Sequence, residues 1–309
     1  MPGIGIITNP HSKLNKRNPQ TPQLLGYILG EHGRLAVTQS LQDLSRVAVK
    51  FRDSNIEILA INGGDGTISK TLTAFLEAYG SKPLPKIALL RGGTMNVLAN
   101  NLGISGTPPR ILFRLCEAYA GDTPLQSQTL TSLNVEGACG FLYADGVAYN
   151  VLDEFYQNKT GPIGAAWLIV KLAISALLKG QMFYRLIQPQ KLKLKSDDRE
   201  VEHSSLCIMA ASIEKMPYGI KLFPSARQNP MAFQYFSVRC AAEKLISKIA
   251  SIALLNKPKD YESKLGGTST SLSIKATPGY TYSLDGELFQ STSVSVTIKT
   301  GPKIEFIIV

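Results

Sequence analysis

Three glycines around one carboxylate, Gly63-Gly64-Asp65-Gly66-Thr67, form the stretch of this chain best suited to chemistry. A short apolar, β-branched run from Ile56 to Ile61 empties into them, and a helical pattern of Ile68, Leu72, Phe75 and Leu76 follows at once. The spacing predicts strand, tight turn, helix. Glycine admits positive φ and exposes main-chain N–H groups that a Cβ would shield, while the N-terminus of the following helix favours negative charge. Such a turn suits a phosphate. A carboxylate beside a polyphosphate repels it unless a divalent cation or a nearby Lys or Arg intervenes, so Asp65 shifts the expectation from a bare anion to a metal-bound nucleotide. The plainer alternative is an ordinary turn whose Asp65 and Thr67 merely cap the helix.

The surrounding pattern repeats this arrangement. Ile87 to Leu90 reads as a strand, runs into Arg91-Gly92-Gly93-Thr94-Met95-Asn96, and leads to a helix from Val97 to Leu102 closed by Gly103. Near the start, the strand Gly5 to Thr8 ends in Asn9-Pro10-His11-Ser12-Lys13, where proline stops the strand. Between them lie a helix-like Leu24 to His32, a strand Leu35 to Thr38 and a helix Leu41 to Arg52 with Leu44, Val47 and Phe51 along one stripe. Alternation of this length implies parallel pairing with right-handed crossovers, and ligands gather at the carboxyl ends of such strands. Asn9 to Lys13 could therefore lie beside the glycine turn.

After the helix Ile111 to Tyr119 the periodicity changes, and strand-like runs dominate from Thr129 onward. Two domains follow, 1–127 and 128–309, of which the second is β-rich and sandwich-like; the final apolar strand, Ile304 to Val309, could rejoin the first. Thr131 to Glu136 and Gly140 to Tyr143 suggest a hairpin around Gly137, and Asp145-Gly146 reads as a turn. Lys191 to Lys195 alternates strictly, a half-exposed strand with its lysines in water. Ile163 to Leu178 is the most apolar stretch, shorter than the ~20 residues of a membrane span and interrupted by Lys171. It reads as a buried helix; the rival reading rests Trp167 and the flanking Lys159, Lys171, Lys179 and Arg185 on an anionic leaflet.

Composition bounds the partners. The 309 residues carry 44% hydrophobic and 18% charged side chains, a globular balance, with a net charge of +10 that suits an acidic partner. The Lys and Arg residues are dispersed without an aromatic-interleaved basic motif, which argues against nucleic acid. Cys116, Cys139, Cys207 and Cys240 are widely spaced among apolar neighbours, as buried thiols in a reducing compartment are. His11, His32 and His203 are scattered, against a zinc site or a His-based triad. The amino terminus lacks a basic n-region and reads as a first strand, so a cytoplasmic location is expected.

Taken in order, Asn9-Pro10, Gly63-Gly64-Asp65-Gly66-Thr67, Gly92-Gly93-Thr94-Met95-Asn96 and Asp285-Gly286-Glu287 resemble the diacylglycerol kinase catalytic family, which embraces bacterial diacylglycerol, sphingosine and ceramide kinases. The resemblance implies an NAD kinase-like α/β domain, a parallel sheet with helices on both faces, followed by a β-rich domain, with ATP and lipid meeting between them. By that similarity Asn9, Pro10, His11, Ser12, Lys13, Thr38, Gly63, Gly64, Asp65, Gly66, Thr67, Ser69, Gly92, Gly93, Thr94 and Asn96 hold the nucleotide. Asp65, with Glu287, serves Mg2+; Asp285 or Glu287 activates the acceptor hydroxyl; Asp145 faces the lipid head group.

The resemblance has gaps. Where most members carry Asn-Glu after the Gly-Asp-Gly-Thr motif, this chain has Ser69-Lys70. Where they carry an Asp-Asp-Gly turn that binds a structural cation, it has Arg227-Gln228-Asn229-Pro230-Met231, so no dedicated structural Mg2+ is expected there. The expected activity is an ATP-dependent lipid kinase acting on diacylglycerol or a related lipid alcohol, peripheral on the inner face of the membrane. Alternatives are a sphingoid-base or ceramide kinase, a soluble-acceptor kinase of the NAD kinase type, and a catalytically weakened nucleotide-binding regulator. A homodimer is left open.

Overall fold

The computed structural model describes residues 3–121, 124–157, 181–197, 199–239, 266–275 and 279–309. The apolar stretch 163–178, the lysines at 159, 171 and 179 and the cysteine at 240 lie outside the described residues.

Four fully or largely apolar strands build the first unit: β1 (Ile4–Thr8), β2 (Gly33–Val37), β3 (Ile58–Asn62) and β4 (Lys86–Leu89). They pair in parallel in the order β2-β1-β3-β4, so their carboxyl ends share one edge. Helices α1 (Lys13–Arg17), α2 (Thr21–Leu29), α3 (Leu41–Asp53), α4 (Asp65–Tyr79), α5 (Val97–Asn101) and α6 (Pro108–Ala120) connect and cover them. Leu44, Ala48 and Phe51 of α3 and Ile68, Leu72 and Phe75 of α4 point inward at helical spacing.

The second unit is antiparallel. It comprises β5 (Ser127–Val135), β6 (Ala138–Gly140), β7 (Leu142–Asp145), α7 (Gly146–Gln157), α8 (Gln181–Leu186), β8 (Gln190–Ser196), β9 (Arg199–Ser205), β10 (Cys207–Ala211), β11 (Phe233–Val238), β12 (Gly266–Ser269), β13 (Ser271–Lys275), β14 (Thr281–Leu284), β15 (Glu287–Gln290) and β16 (Ser295–Ile307). One six-stranded sheet runs β12-β11-β10-β7-β14-β15. It faces the β5, β8, β13 and β16 part of the other sheet, and the side chains between them form a second core that includes Leu133, Tyr143, Leu194, Ile208, Phe233, Ile274, Leu284 and Ile298. Leu192 and Leu194 enter that core while Lys191, Lys193 and Lys195 face water, as strict alternation predicts.

The longest strand joins the two units. β16 pairs antiparallel with β13 and β5 along its length, bends at an irregularity between Thr300 and Lys303, and ends parallel to β4 through Phe306 and Ile307. One ten-stranded sheet thus crosses from the first unit into the second. Among the strand-like runs beyond Thr129 a helix stands at Gly146–Gln157, and Asp145-Gly146, read as a turn, leads from β7 straight into it. Gly146 is there for clearance, because a Cβ would lie 2.2 Å from the Leu206 carbonyl oxygen.

Phe306 is fully buried and meets Phe141 edge-to-face at 5.9 Å, one side chain serving both units. Phe306→Ala is expected to cost about 3–5 kcal/mol in urea unfolding, with a single transition in both proteins; two separate transitions in the parent chain would show that the units do not share one cooperative sheet.

Candidate active site

The carboxyl ends of β1 and β3 are tied by asparagines. Asn9 N–H donates to the Asn62 carbonyl (3.1 Å), Asn15 Nδ2 donates to the Asn9 carbonyl (2.7 Å), and Asn62 Nδ2 donates to Asn15 Oδ1 (3.1 Å). Asn9 also accepts from the His11 N–H (2.9 Å), making a compact turn, and donates to Thr67 Oγ1 (2.9 Å). The 9–13 loop therefore does lie against the glycine turn. Asn15 and Asn62 escape a sequence reading; a polar residue ending the apolar run at Ile61 is the signal that could have found Asn62.

The glycines of the two turns are there for clearance. None of Gly63, Gly64, Gly66, Gly92 and Gly93 has positive φ, contrary to the expectation from their type; that conformation falls to Arg91 (φ 58) and Asn96 (φ 47). A Cβ on Gly93 would lie 2.3 Å from the Gly64 Cα, one on Gly92 2.4 Å from Asn62 Oδ1, and one on Gly63 2.4 Å from Thr67. The turns pack main chain to main chain, and side chains there would push them apart.

Several predicted residues take supporting roles instead of ligand-facing ones. Asn96 spends both ends of its amide on Gly93, accepting from its N–H (3.1 Å) and donating to its carbonyl (3.0 Å), so it braces its own loop. The Ser69 hydroxyl is buried and donates to the Cys139 carbonyl (2.6 Å) across to β6, which removes it from the phosphate-facing set. Asp65 accepts from the Leu98 N–H (3.1 Å), capping α5 rather than its own helix, and burial holds its carboxyl above the usual range. Thr38 is buried just beyond β2, and its N–H donates to the Thr8 carbonyl (3.0 Å). Thr94, Lys13 and His11 remain open to solvent to differing degrees at the mouth.

The second unit brings its own acids to this edge. Asp285 (φ 49) and Gly286 (φ 83) are the two central residues of the β14–β15 hairpin, the backbone pattern of a type I′ turn. That turn aims the Asp285 carboxylate back onto the N–H groups of Phe141 (3.1 Å) and Leu142 (2.9 Å). Burial pushes its pKa up to about 8, the two N–H donors pull it down, and the nearby charges of Asp65 and Glu287 raise it further. Glu287 lies over the first turn of α4, where a Cβ on Gly66 would meet its Oε1 at 2.0 Å, and it pairs with Lys70 one turn along. Tyr156 of α7 donates to the Gly286 carbonyl (2.8 Å). Asp65, Asp285 and Glu287 thus share one cleft, with Lys70 as the base that stands where an acid was expected.

Asp145 does not face a head group. It is 1% exposed at the end of β7, accepting from the Ile208 N–H (2.5 Å) and from the hydroxyls of Tyr280 and Tyr143. Burial pushes its pKa up to about 7 against those three donors. No group of three His, Cys, Asp or Glu side chains among the described residues is arranged to hold a metal ion alone, and no described helix is long and apolar enough to cross a membrane.

Residues 4–124 match the family model of the diacylglycerol kinase catalytic domain. Over 274 residues the chain is 22% identical to the lipid kinase YegS of Escherichia coli K12, covering 88% of this chain and 86% of that protein. A diacylglycerol kinase structure from Bacillus anthracis strain Sterne superposes with a TM-score of 0.66 at 13% identity, covering 99% and 97% of the two chains. Another structure from the same strain gives 0.71 at 14% identity, covering 99% and 96%. These structural likenesses establish the fold.

Because burial raises the native Asp145 pKa to about 7 while the unfolded chain releases that proton near pH 4, the contribution of this group to stability should fall as pH rises from about 4 to about 7 and level off above. The slope from this group is at most about 1.4 kcal/mol per pH unit. Asp145→Asn should abolish that component, read as a converging difference between urea melts of the two proteins across that range; parallel curves would mean that Asp145 titrates normally.

Proposed function

We propose that this chain, which belongs to the diacylglycerol kinase catalytic family, is a lipid kinase that transfers the γ-phosphoryl group of ATP to the hydroxyl of diacylglycerol or a related lipid alcohol. The observation that carries the reading is the meeting of the Asp285-Gly286-Glu287 hairpin with the glycine turn at Gly66. Phosphoryl transfer needs donors around the phosphates, charge neutralisation and a base near the acceptor oxygen, and glycine turns, acids and a lysine gathered at this edge support that reading.

The two glycine turns and the start of α4 offer main-chain N–H groups to the phosphates, with Thr94 at the mouth and Asn9 holding Thr67 in place. The buried hydroxyls of Thr8 and Ser12 and the side-chain Oδ1 of Asn62 lack protein partners, which fits a polar ligand there. Asp65 keeps one carboxylate oxygen beyond its bond to Leu98, and with Glu287 it would hold Mg2+ alongside the phosphates, the usual way this ion is bound. Bound Mg2+ would neutralise charge on the phosphates. Lys70 offsets the second acid, so that the cleft tolerates three carboxylates beside a polyanion.

Asp285 is the better base of the two acids. Glu287 is engaged by Lys70, whereas Asp285 is held rigidly by two N–H groups and has a proton affinity matched to neutral or mildly alkaline conditions. A base acts when deprotonated, so kcat/KM should rise with pH through about 8 and then level off.

Asp285→Asn and Asp65→Asn are each expected to lower turnover by about 10²–10⁴-fold with unchanged far-UV circular dichroism, since asparagine can still accept from Leu98 or from Phe141. The assay is ATP consumption with diacylglycerol, sphingosine and ceramide in micelles, followed by mass spectrometry of lipids phosphorylated in a total extract. Turnover with a soluble acceptor but none of these lipids would reject the lipid reading; nucleotide binding without any turnover would point to the regulator.

A further inference from the structure

We propose that a cavity of about 370 Å3 in the second unit, lined by Thr129, Thr131, Ser212, Arg227, Asn229 and Lys303, binds a phosphate group, either free or as a phosphomonoester head group. The lining holds two cationic side chains and no carboxylate. Among the described residues neither Arg227 nor Lys303 takes part in any of the recorded ion pairs. Two unpaired positive charges facing one polar cavity repel each other, and an oxyanion between them relieves that repulsion while giving arginine the planar acceptor its fork suits.

The neutral groups point to the same class of ligand. Ser212, just past β10, is 3% exposed, and its hydroxyl has no hydrogen-bond partner although it lines the cavity. A buried hydroxyl left unmade is costly, and an oxyanion accepts from it directly. The turn is already fixed before a ligand arrives. Thr131 donates to the Pro230 carbonyl (2.6 Å), and Asn229 Oδ1 accepts from the Met231 N–H (2.9 Å), which leaves the Asn229 amide NH2 available as a donor. Arginine, lysine, two hydroxyls and an amide, with no acid in the lining, match the acceptor-only surface of a phosphate and would reject a cation.

The test is equilibrium dialysis of the full chain against radiolabelled inorganic phosphate, with excess non-hydrolysable ATP analogue present to occupy the glycine turns. One saturable phosphate per chain is expected, weakened at least fivefold by Arg227→Met, Lys303→Met or Ser212→Ala and unchanged by Lys50→Met on the remote helix α3. Lys303 is exposed, so its replacement leaves folding intact even if Arg227→Met does not. Flotation with phosphatidic acid vesicles, against phosphatidylcholine vesicles, separates the two sources: capture lost in the same variants assigns a head group, and binding of free phosphate alone assigns a soluble ligand. Absence of both, or binding indifferent to all three substitutions, overturns the proposal.

Discussion

The peptide of Cys139 is gripped from both sides by one helix. Ser69 donates to its carbonyl and its N–H donates to Thr73 Oγ1 (2.9 Å), so successive turns of α4 are fastened to β6 of the other unit. The same helix begins at the glycine turn, which means that the turn end of the first unit and the strand beside Phe141 are held in fixed relation. Since Phe141 and Leu142 hold Asp285, this one peptide sets where the Asp285 carboxylate stands. A hydroxyl at position 69 therefore serves the geometry of the cleft without touching what enters it.

Electrostatics in the cleft are a balance of opposed effects. Burial raises the proton affinity of Asp65 and Asp285, and the charges of Asp65 and Glu287 raise that of Asp285 further, while main-chain N–H groups work the other way on both. The outcome for Asp285 is a pKa pushed up to about 8, which neither burial nor hydrogen bonding alone would give. The pairing of Lys70 with Glu287 is a contact between the two units, made by a residue that departs from the family pattern.

Much of this was legible in the sequence. Alternating apolar runs and glycine turns gave the parallel strands and the order of the helices, because hydrophobic period and turn residues act locally. The hairpin at Asp285-Gly286 was readable as a turn, and it is one; what the turn residues could not say is that the same geometry points the carboxylate at Phe141 and Leu142. Asp145-Gly146 carried the same dipeptide signal, and there the Leu206 main chain crosses close by and the chain enters α7.

By itself, then, the sequence determined the residue types and their order: acids and glycines at strand ends, an α/β half, an antiparallel half. Only the tertiary structure decided which of those groups face the cleft. Ser69 and Asp145 have the right chemistry for a ligand, yet each finds a protein partner, 70 and 135 residues away respectively, that satisfies it first. The physical reason is that a buried polar group must be paired, and which partner lies within reach is a property of long-range packing that no local pattern encodes.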